Sequence, residues 1–259
     1  VVAGGGGDNA VSAIGVGAVS PGDAFISLGT SGVLFVVTDA YRPAPQSAVH
    51  AFCHVLPNLW HQMSVMLSAA SCLQWFCRLV GVTETELLEE IAQLSDADKA
   101  SAPMFLPYLS GERTPHNDPH ARGLFWALTH SSQRALMGYA VLEGVSFGIA
   151  DGLRVLQESG TAIEQCSLVG GGARSPFWAQ LLADILDMPV VTHKGGETGG
   201  ALGAARLACL AAGKPLAAVC EKPEIFKTWR SDPERHNALM QRYQQFTALY
   251  HNDLNYRNQ

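Results

Sequence analysis

A carboxylate follows four consecutive glycines near the start of the chain, in the segment Val1–Asn9 with the sequence VVAGGGGDN. Asp8 stands where a helix is predicted to begin. An ionised Asp can accept the proton of a hydroxyl group as a general base. The structural alternative is that Asp8 caps the helix, because Asp is a favoured N-cap residue. The glycines favour the catalytic interpretation, since a cap needs no such room around it.

A second glycine turn, Gly29–Gly32 with the sequence GTSG, joins two apolar runs. Glycine lets backbone N–H groups approach a phosphate without a Cβ atom in the way, and Thr30 and Ser31 add hydroxyl donors. The alternative is a plain hairpin turn, in which Gly and Ser are ordinary residues. We expect Gly29, Thr30 and Ser31 to bind phosphate, because a phosphate cradle beside an unpaired carboxylate is the minimal equipment for moving a phosphoryl group onto a hydroxyl.

A third glycine cluster, Gly170–Gly172, follows the short apolar run Cys166–Val169. Ser175 is a favoured N-cap, and Pro176 has the φ that the first helical position needs. Free amides at a helix start favour an anion. We expect this cluster to contact a nucleotide, since a tight βα turn alone seldom needs three glycines. Arg174 is either a phosphate or adenine contact or a solvated loop charge.

The elements that must position these turns follow a mixed pattern. Predicted strands cover residues 1–7, 24–28, 33–38, 50–55, 60–66, 166–169 and 189–192. Predicted helices cover residues 9–19, 67–80, 84–94, 133–158, 176–186, 198–212 and 232–250. A strand meander followed by alternating strands and helices predicts an α/β domain with a mixed sheet.

The loop Phe105–Gly123 is too polar and proline-rich for a regular element. Arg113 beside Glu112 is either a surface ion pair, worth little, or part of a site, and Asp118 follows in the same loop. A long loop of this kind is more often functional than not. In the last predicted small-residue helix, the Gly and Ala spacing from Ala201 favours close packing, with a hinge as the alternative.

A hydrolase pattern, G-x-S-x-G, occurs at Gly144–Gly148. A nucleophile elbow needs a strand, a sharp turn and then a helix, whereas Ser146 falls inside the predicted helix 133–158. We therefore expect no serine nucleophile here. A P-loop is missing from the sequence, and the histidines lack zinc-site spacing, so we expect neither a P-loop nor a structural metal.

The composition of the chain limits the kinds of partner and cellular compartment that we expect. The chain of 259 residues is 47% hydrophobic and 15% charged, with a net charge of −6 and scattered Lys and Arg. Nucleic-acid and membrane partners are therefore not expected. The six cysteines show no C-x-x-C pair and are expected to be reduced in a cytoplasmic protein. We see no membrane-span-length apolar run. The chain lacks an initiator Met and begins inside an apparent strand, which predicts a C-terminal portion of a longer protein.

Taken in order, these motifs resemble the C-terminal domain of the FGGY family of carbohydrate kinases. The resemblance extends from Gly4 to about Leu210, and its most specific carriers are the runs SVMLSAASCL from Ser64 and FLPYLSGERTPHN from Phe105. These two runs are most similar to the branch that phosphorylates D-xylulose.

The resemblance implies an RNase-H-like fold, shared with actin, hexokinase and the heat-shock chaperone ATPases. It implies that Asp8 is the catalytic base, that Gly29, Thr30 and Ser31 form the second phosphate turn, and that the segment from Gly171 to Arg174 contacts adenosine. The small-residue helix from Ala201 would pack at an interdomain hinge. Residues 1–259 would form the ATP-binding domain, with ATP and Mg²⁺ as cofactors.

The resemblance also implies partners and a limit. The partners are a sugar substrate and an N-terminal domain that is absent from this chain, with a homodimer left open. Since catalysis depends on positioning between two domains, we expect the chain to be inactive alone. Ala127 stands where the family usually has Gly, which we interpret as a small packing change. Two alternatives stay open: a kinase for another sugar or polyol, and a non-enzymatic nucleotide switch of the actin or chaperone type.

Overall fold

Runs of β-branched and aromatic residues build a seven-stranded sheet in the computed structural model, which describes residues 2–194 and 199–259. Val1 and residues 195–198, including the predicted helix start at Thr198, lie outside the described residues. The strands are β1 (Ala24–Leu28), β2 (Gly32–Thr38), β3 (His50–Cys53), β4 (Trp60–Met66), β5 (Met104–Leu106), β6 (Leu124–Trp126), β7 (Cys166–Val169), β8 (Val190–His193) and β9 (Ile225–Trp229).

Helices cover both faces of this sheet. They are α1 (Asp8–Val16), α2 (Ala70–Val80), α3 (Glu84–Ala92), α4 (Asp96–Ala100), α5 (Arg134–Glu158), α6 (Pro176–Leu186), α7 (Gly199–Ala211), α8 (Leu216–Val219) and α9 (Pro233–Arg257). Short 3₁₀ turns cover residues 45–47 and 171–174.

The strand order is β3-β4-β2-β1-β7-β8-β9, with β1, β7 and β8 parallel and the other pairs antiparallel. The predicted mixed α/β sheet is therefore confirmed. So is the hairpin of β1 and β2, in which Leu28 pairs with Gly32. Strand β9 and the small β5–β6 sheet were not predicted.

The predicted strand over residues 1–7 is wrong for the part that the structure describes. Residues 2–7 are irregular, and Gly4, Gly5 and Gly7 have open space where a Cβ atom would lie. Glycine offers no side chain to pack on a sheet and loses the most backbone entropy when it is fixed there. Helix α1 begins at Asp8, directly after these glycines.

Helix α5 runs through the hydrophobic core. By length and composition it is the one helix of the described chain that is apolar enough to cross a membrane, contrary to the sequence expectation, but 83% of its apolar window is buried inside the fold. A Cβ atom on Gly144 would lie 2.1 Å from the carbonyl oxygen of Phe105. Ser146, in the middle of this helix, donates to the carbonyl of Leu142 at 2.8 Å. The hydrolase interpretation therefore fails.

Helices α1 and α7 approach each other backbone to backbone at their glycines. A Cβ atom on Gly15 would lie 1.9 Å from the carbonyl oxygen of Gly199. The guanidinium of Arg206, on α7, donates to the carbonyls of Ile14 and Gly15 at 2.9 and 3.0 Å. The predicted packing role of the small-residue helix is thus confirmed, and Arg206 satisfies carbonyls at the end of α1.

Ala127 directly follows β6 and is exposed, with φ at +63°. This left-handed conformation strains a residue that carries a Cβ atom, whereas glycine adopts it freely. The expectation that Ala in place of the family's Gly causes a small packing change is therefore wrong. The substitution affects the backbone conformation at residue 127 and not the packing of the core.

Candidate functional site

The Gly29–Gly32 turn presents backbone donors to solvent. The amide of Gly29 donates to the carbonyl of Ser31 at 3.1 Å, inside the turn. Within residues 2–194 and 199–259, the amides of Thr30 and Ser31 have no protein acceptor, and both residues are exposed. Free N–H groups at an exposed glycine turn are what an anionic oxygen requires.

The start of α2 holds the carbonyl side of the same turn. Ala70 donates its amide to the carbonyl of Gly29 at 2.8 Å, and Ala69 donates to the carbonyl of Thr30 at 2.9 Å. The hydroxyl of Ser71 also donates to the Thr30 carbonyl, at 2.7 Å. In a trans peptide the C=O and the following N–H point to opposite sides of one rigid plane. These bonds therefore direct the amides of Thr30 and Ser31 away from α2.

The Gly170–Gly172 cluster is the second turn, at the end of β7. Gly170 has φ at +89°, a conformation for which glycine is suited. A Cβ atom on Gly172 would lie 2.4 Å from Cδ2 of Leu28, so this glycine lets the turn pack on β1. Gly171 is exposed with open space beside it, and its amide has no protein acceptor in the described part of the chain.

The two turns are neighbours because β1 and β7 are parallel and adjacent, so their carboxyl ends meet at one edge of the sheet. A Cβ atom on Gly170 would lie 2.8 Å from the carbonyl oxygen of Leu28, the residue before Gly29. Ligands of open α/β sheets bind at this edge. The structure thus brings together Gly29, Thr30 and Ser31 with Gly171 and Gly172, with exposed Arg174 ending the 171–174 turn.

The predicted cap of α6 is confirmed. The Ser175 hydroxyl accepts the amide of Trp178 at 3.2 Å, and Pro176 occupies the first position of the helix. This cap fixes the chain immediately after the adenosine segment that the family resemblance implies.

Asp8 is the first residue of α1 and is exposed. The N-cap is Gly7, which makes no side-chain capping bond, so the capping alternative for Asp8 is not what the structure shows. Its Oδ1 atom accepts the amide of Asn9 at 2.7 Å, and the hydrogen bonds described for Asp8 go to this neighbour alone and to neither glycine turn. Asp8 lines a cleft of about 540 Å³ between the glycine segment and α7.

Glu112 is a buried residue that the sequence placed either in a surface ion pair with Arg113 or in a site. Its side chain is 3% exposed, and its Oε1 atom accepts the backbone amides of Leu67 at 2.9 Å and of Arg113 at 2.7 Å. Burial raises the pKa of Glu112 to about 7, against the lowering effect of these two amides. The ion-pair alternative is therefore wrong, and the residue is an anchor between its loop and the end of β4.

Asp118 and Glu143 join the C-terminal helix to the body of the domain. Asp118 pairs with Arg257 at 2.7 Å and accepts the hydroxyl of Tyr250 at 3.1 Å. Burial acts to raise the pKa of Asp118, but hydrogen bonds led by that of Arg257 hold it below its ordinary value. Glu143 is buried and pairs with Arg242 at 2.6 Å. Neither carboxylate is left free for chemistry, and the sequence offered no partner for either.

The open α/β sheet matches that of solved sugar kinases, so the domain is of the sugar-kinase class that has the actin and hexokinase fold. A model of the C-terminal domain of the FGGY family of carbohydrate kinases matches residues 24–212. The chain belongs to this family.

The chain is similar to several xylulose kinases. The chain is 48% identical over 252 residues to a xylulose kinase of Escherichia coli K12, covering 96% of this chain and 52% of that protein. It is 50% identical over 212 residues to a xylulose kinase of Klebsiella pneumoniae, covering 82% and 43%. A crystal structure described as a xyloylose kinase from Brucella ovis has a TM-score of 0.90 at 48% identity, covering 95% and 51%. The chain spans about half the length of the curated relatives it matches.

Proposed function

We propose that this chain is the C-terminal, ATP-binding half of a cytoplasmic kinase that phosphorylates D-xylulose to D-xylulose 5-phosphate. The observation that carries the proposal is the pair of adjacent turns in which the amides of Thr30, Ser31 and Gly171 have no protein acceptor among the described residues. The names and identities of the relatives support the choice of sugar. The sugar would bind between this domain and the N-terminal half that completes the relatives.

In the proposed reaction the sugar hydroxyl oxygen forms a bond to the γ-phosphorus, and the bond from that phosphorus to the ADP oxygen breaks. Asp8 accepts the hydroxyl proton. The amides of Thr30 and Ser31 bind phosphate oxygens and hold them in place, while Gly171, Gly172 and Arg174 contact the adenosine part. Mg²⁺, when bound, neutralises charge on the phosphates.

The position of Asp8 supports its proposed role as the base. It is exposed at the start of a helix, beside a cleft lined by Gly4, Gly5 and Gly6. These glycines have no side chains that would fill the cleft that Asp8 lines. Domain closure would bring the carboxylate, the turns and the sugar together, which is why we expect the isolated chain to be inactive.

The test uses the full-length parent protein with Mg·ATP. ADP release is measured with D-xylulose and with a panel of other ketoses, aldoses and polyols. Stimulation by D-xylulose alone supports the proposal, and stimulation by another sugar keeps the kinase but changes its substrate. ATP binding without stimulation by any sugar would instead favour the nucleotide switch.

The role of Asp8 is tested by Asp8→Asn in the same protein. We expect kcat to fall by about 10²- to 10⁴-fold, with ATP affinity largely kept. Asp39→Asn serves as the control, because Asp39 is exposed and follows β2 at the end opposite the Gly29–Gly32 turn. Retained turnover in Asp8→Asn would refute the assignment.

A further inference from the structure

Glu112 lies where the loop after β5 meets the end of β4. Its Oε1 atom accepts two backbone amides, whereas its Oε2 atom is buried without a hydrogen-bond partner in the described part of the chain. Burying a carboxyl group with an unpartnered oxygen is unfavourable. A residue that only closed a surface loop would avoid that penalty.

The segment that Glu112 holds is the segment that supports the phosphate turn. One of its two amides belongs to Leu67, which stands two residues before Ala69. Ala69 and Ala70 donate to the carbonyls of Thr30 and Gly29. The link between β4 and α2 is therefore fixed by Glu112 on one side and bonded to the turn on the other.

The two peptide groups that carry the free amides of the turn are held in place through their carbonyl oxygens. The carbonyl of Gly29 and the amide of Thr30 belong to one plane, and the carbonyl of Thr30 and the amide of Ser31 belong to the next. Each bond from the α2 start therefore sets the direction of one free amide. A shift of Leu67 would move Ala69 and the residue after it, and would therefore reorient both peptide groups of the turn.

We propose that Glu112 is a positioning residue for nucleotide binding: it fixes Leu67, so that the start of α2 aims the amides of Thr30 and Ser31 at the phosphates. This inference rests on the proposed function in that it takes ATP as the ligand of the turn. The acceptor that matters is Oε1, and a neutral amide oxygen in its place supplies the same bond. The charge of the carboxylate is not required.

The experiment compares Glu112→Gln with Glu112→Met in the full-length protein. The two side chains are similar in size, but only Gln keeps an acceptor for the amides of Leu67 and Arg113. We measure the dissociation constant of ATP by titration calorimetry, and separately KM for ATP and for sugar. Glu112→Met should weaken ATP binding about tenfold, since two amides lose their acceptor. Glu112→Gln should bind ATP as the wild type does.

Ser71→Ala tests the contact between the start of α2 and the turn without changing a core residue. It removes the hydroxyl bond to the Thr30 carbonyl, and ATP binding should weaken about fivefold. Both weakening variants should leave KM for the sugar unchanged. Glu164→Ala, exposed at the other end of β7, is the control.

Several results would overturn the proposal. One is a folded Glu112→Met protein that binds ATP with wild-type affinity, and another is a loss of active enzyme with both KM values unchanged, which is what a purely structural role produces. If Glu112→Met does not fold, Ser71→Ala with unchanged ATP affinity is sufficient to refute it. A wild type that binds ATP but phosphorylates no sugar refutes the proposed function and leaves this inference standing, because calorimetry reads ATP binding alone.

Discussion

The carbonyl oxygen of Val11 lies 1.9 Å from the position that a Cβ atom on Gly203 would occupy. Helix α7 therefore contacts α1 backbone to backbone, one turn of helix away from Asp8. This contact leaves no room for even a methyl group, and it fixes the helix that carries the proposed base.

Gly203→Ala is expected to force α7 away from α1 and to destabilise the protein by about 1–3 kcal/mol. The measurement is thermal unfolding of the full-length protein. The matched control is Gly200→Ala on the same helix, where a Cβ atom would have Ser12 Oγ 3.5 Å away as its nearest neighbour. That variant should be neutral or stabilising by about 0.5–1 kcal/mol, and equal effects of the two variants would contradict the prediction.

Ala127→Gly is expected to stabilise the protein by about 1 kcal/mol, because it relieves a left-handed alanine at an exposed position. Urea unfolding of the full-length protein measures the change. Ala162→Gly, exposed with an ordinary φ, should destabilise it slightly through the entropy of the unfolded chain. A destabilising Ala127→Gly would show that the strain argument is wrong.

Tyr250→Phe is expected to reduce stability by about 1 kcal/mol. It removes the hydroxyl that donates to Asp118 at 3.1 Å but keeps the ring, which stacks on His116 with centroids 3.6 Å apart. Tyr256→Phe, 78% exposed on the same helix, should change nothing measurable. Equal thermal unfolding midpoints for the wild type and both variants would contradict the prediction.

His61 is expected to make the protein sensitive to acid. Burial first, and then His54 and His50, lowers the pKa of His61 to about 4. Below pH 6.5 the unfolded chain binds a proton at this position that the folded protein does not bind until about pH 4, so stability falls as the pH falls through this window.

His61→Phe removes this contribution. As the pH falls from 7 to 4, the free energy of unfolding of the variant should therefore rise relative to that of the wild type by on the order of 2–3 kcal/mol. Urea unfolding at both pH values measures it. His54 and His50 are present in both proteins, and His130→Phe, at an exposed position, controls for loss of a histidine. A pH-independent difference would contradict the prediction.

The central strands and the α6 cap were predictable from the sequence because their signals are local. Apolar runs bounded by turn residues mark β1, β4 and β7, and Ser175-Pro176 marks the start of α6. The edge strand β9 was missed because it is exposed in part: Ile225 is 52% and Phe226 69% exposed, so no buried pattern marks it.

The adjacency of the two glycine turns follows from parallel pairing of β1 with β7, which no local pattern specifies. The anchoring role of Glu112 was invisible for the same reason, since its partner Leu67 lies on another element. The neighbouring Arg113 suggested an ion pair, but burial selected backbone amides as partners. The sequence did single out the loop that carries Glu112 as a candidate functional segment.

The hydrophobic core extends beyond the family match, which ends at residue 212. Leu239, Phe246 and Tyr250 of α9 are buried in the same cluster as α5, and β9 covers the outer edge of β8. A recombinant fragment trimmed to the matched range would expose an apolar surface together with a bare strand edge, both of which promote aggregation. For protein production, the unit to be cloned is therefore longer than the one by which the family is recognised.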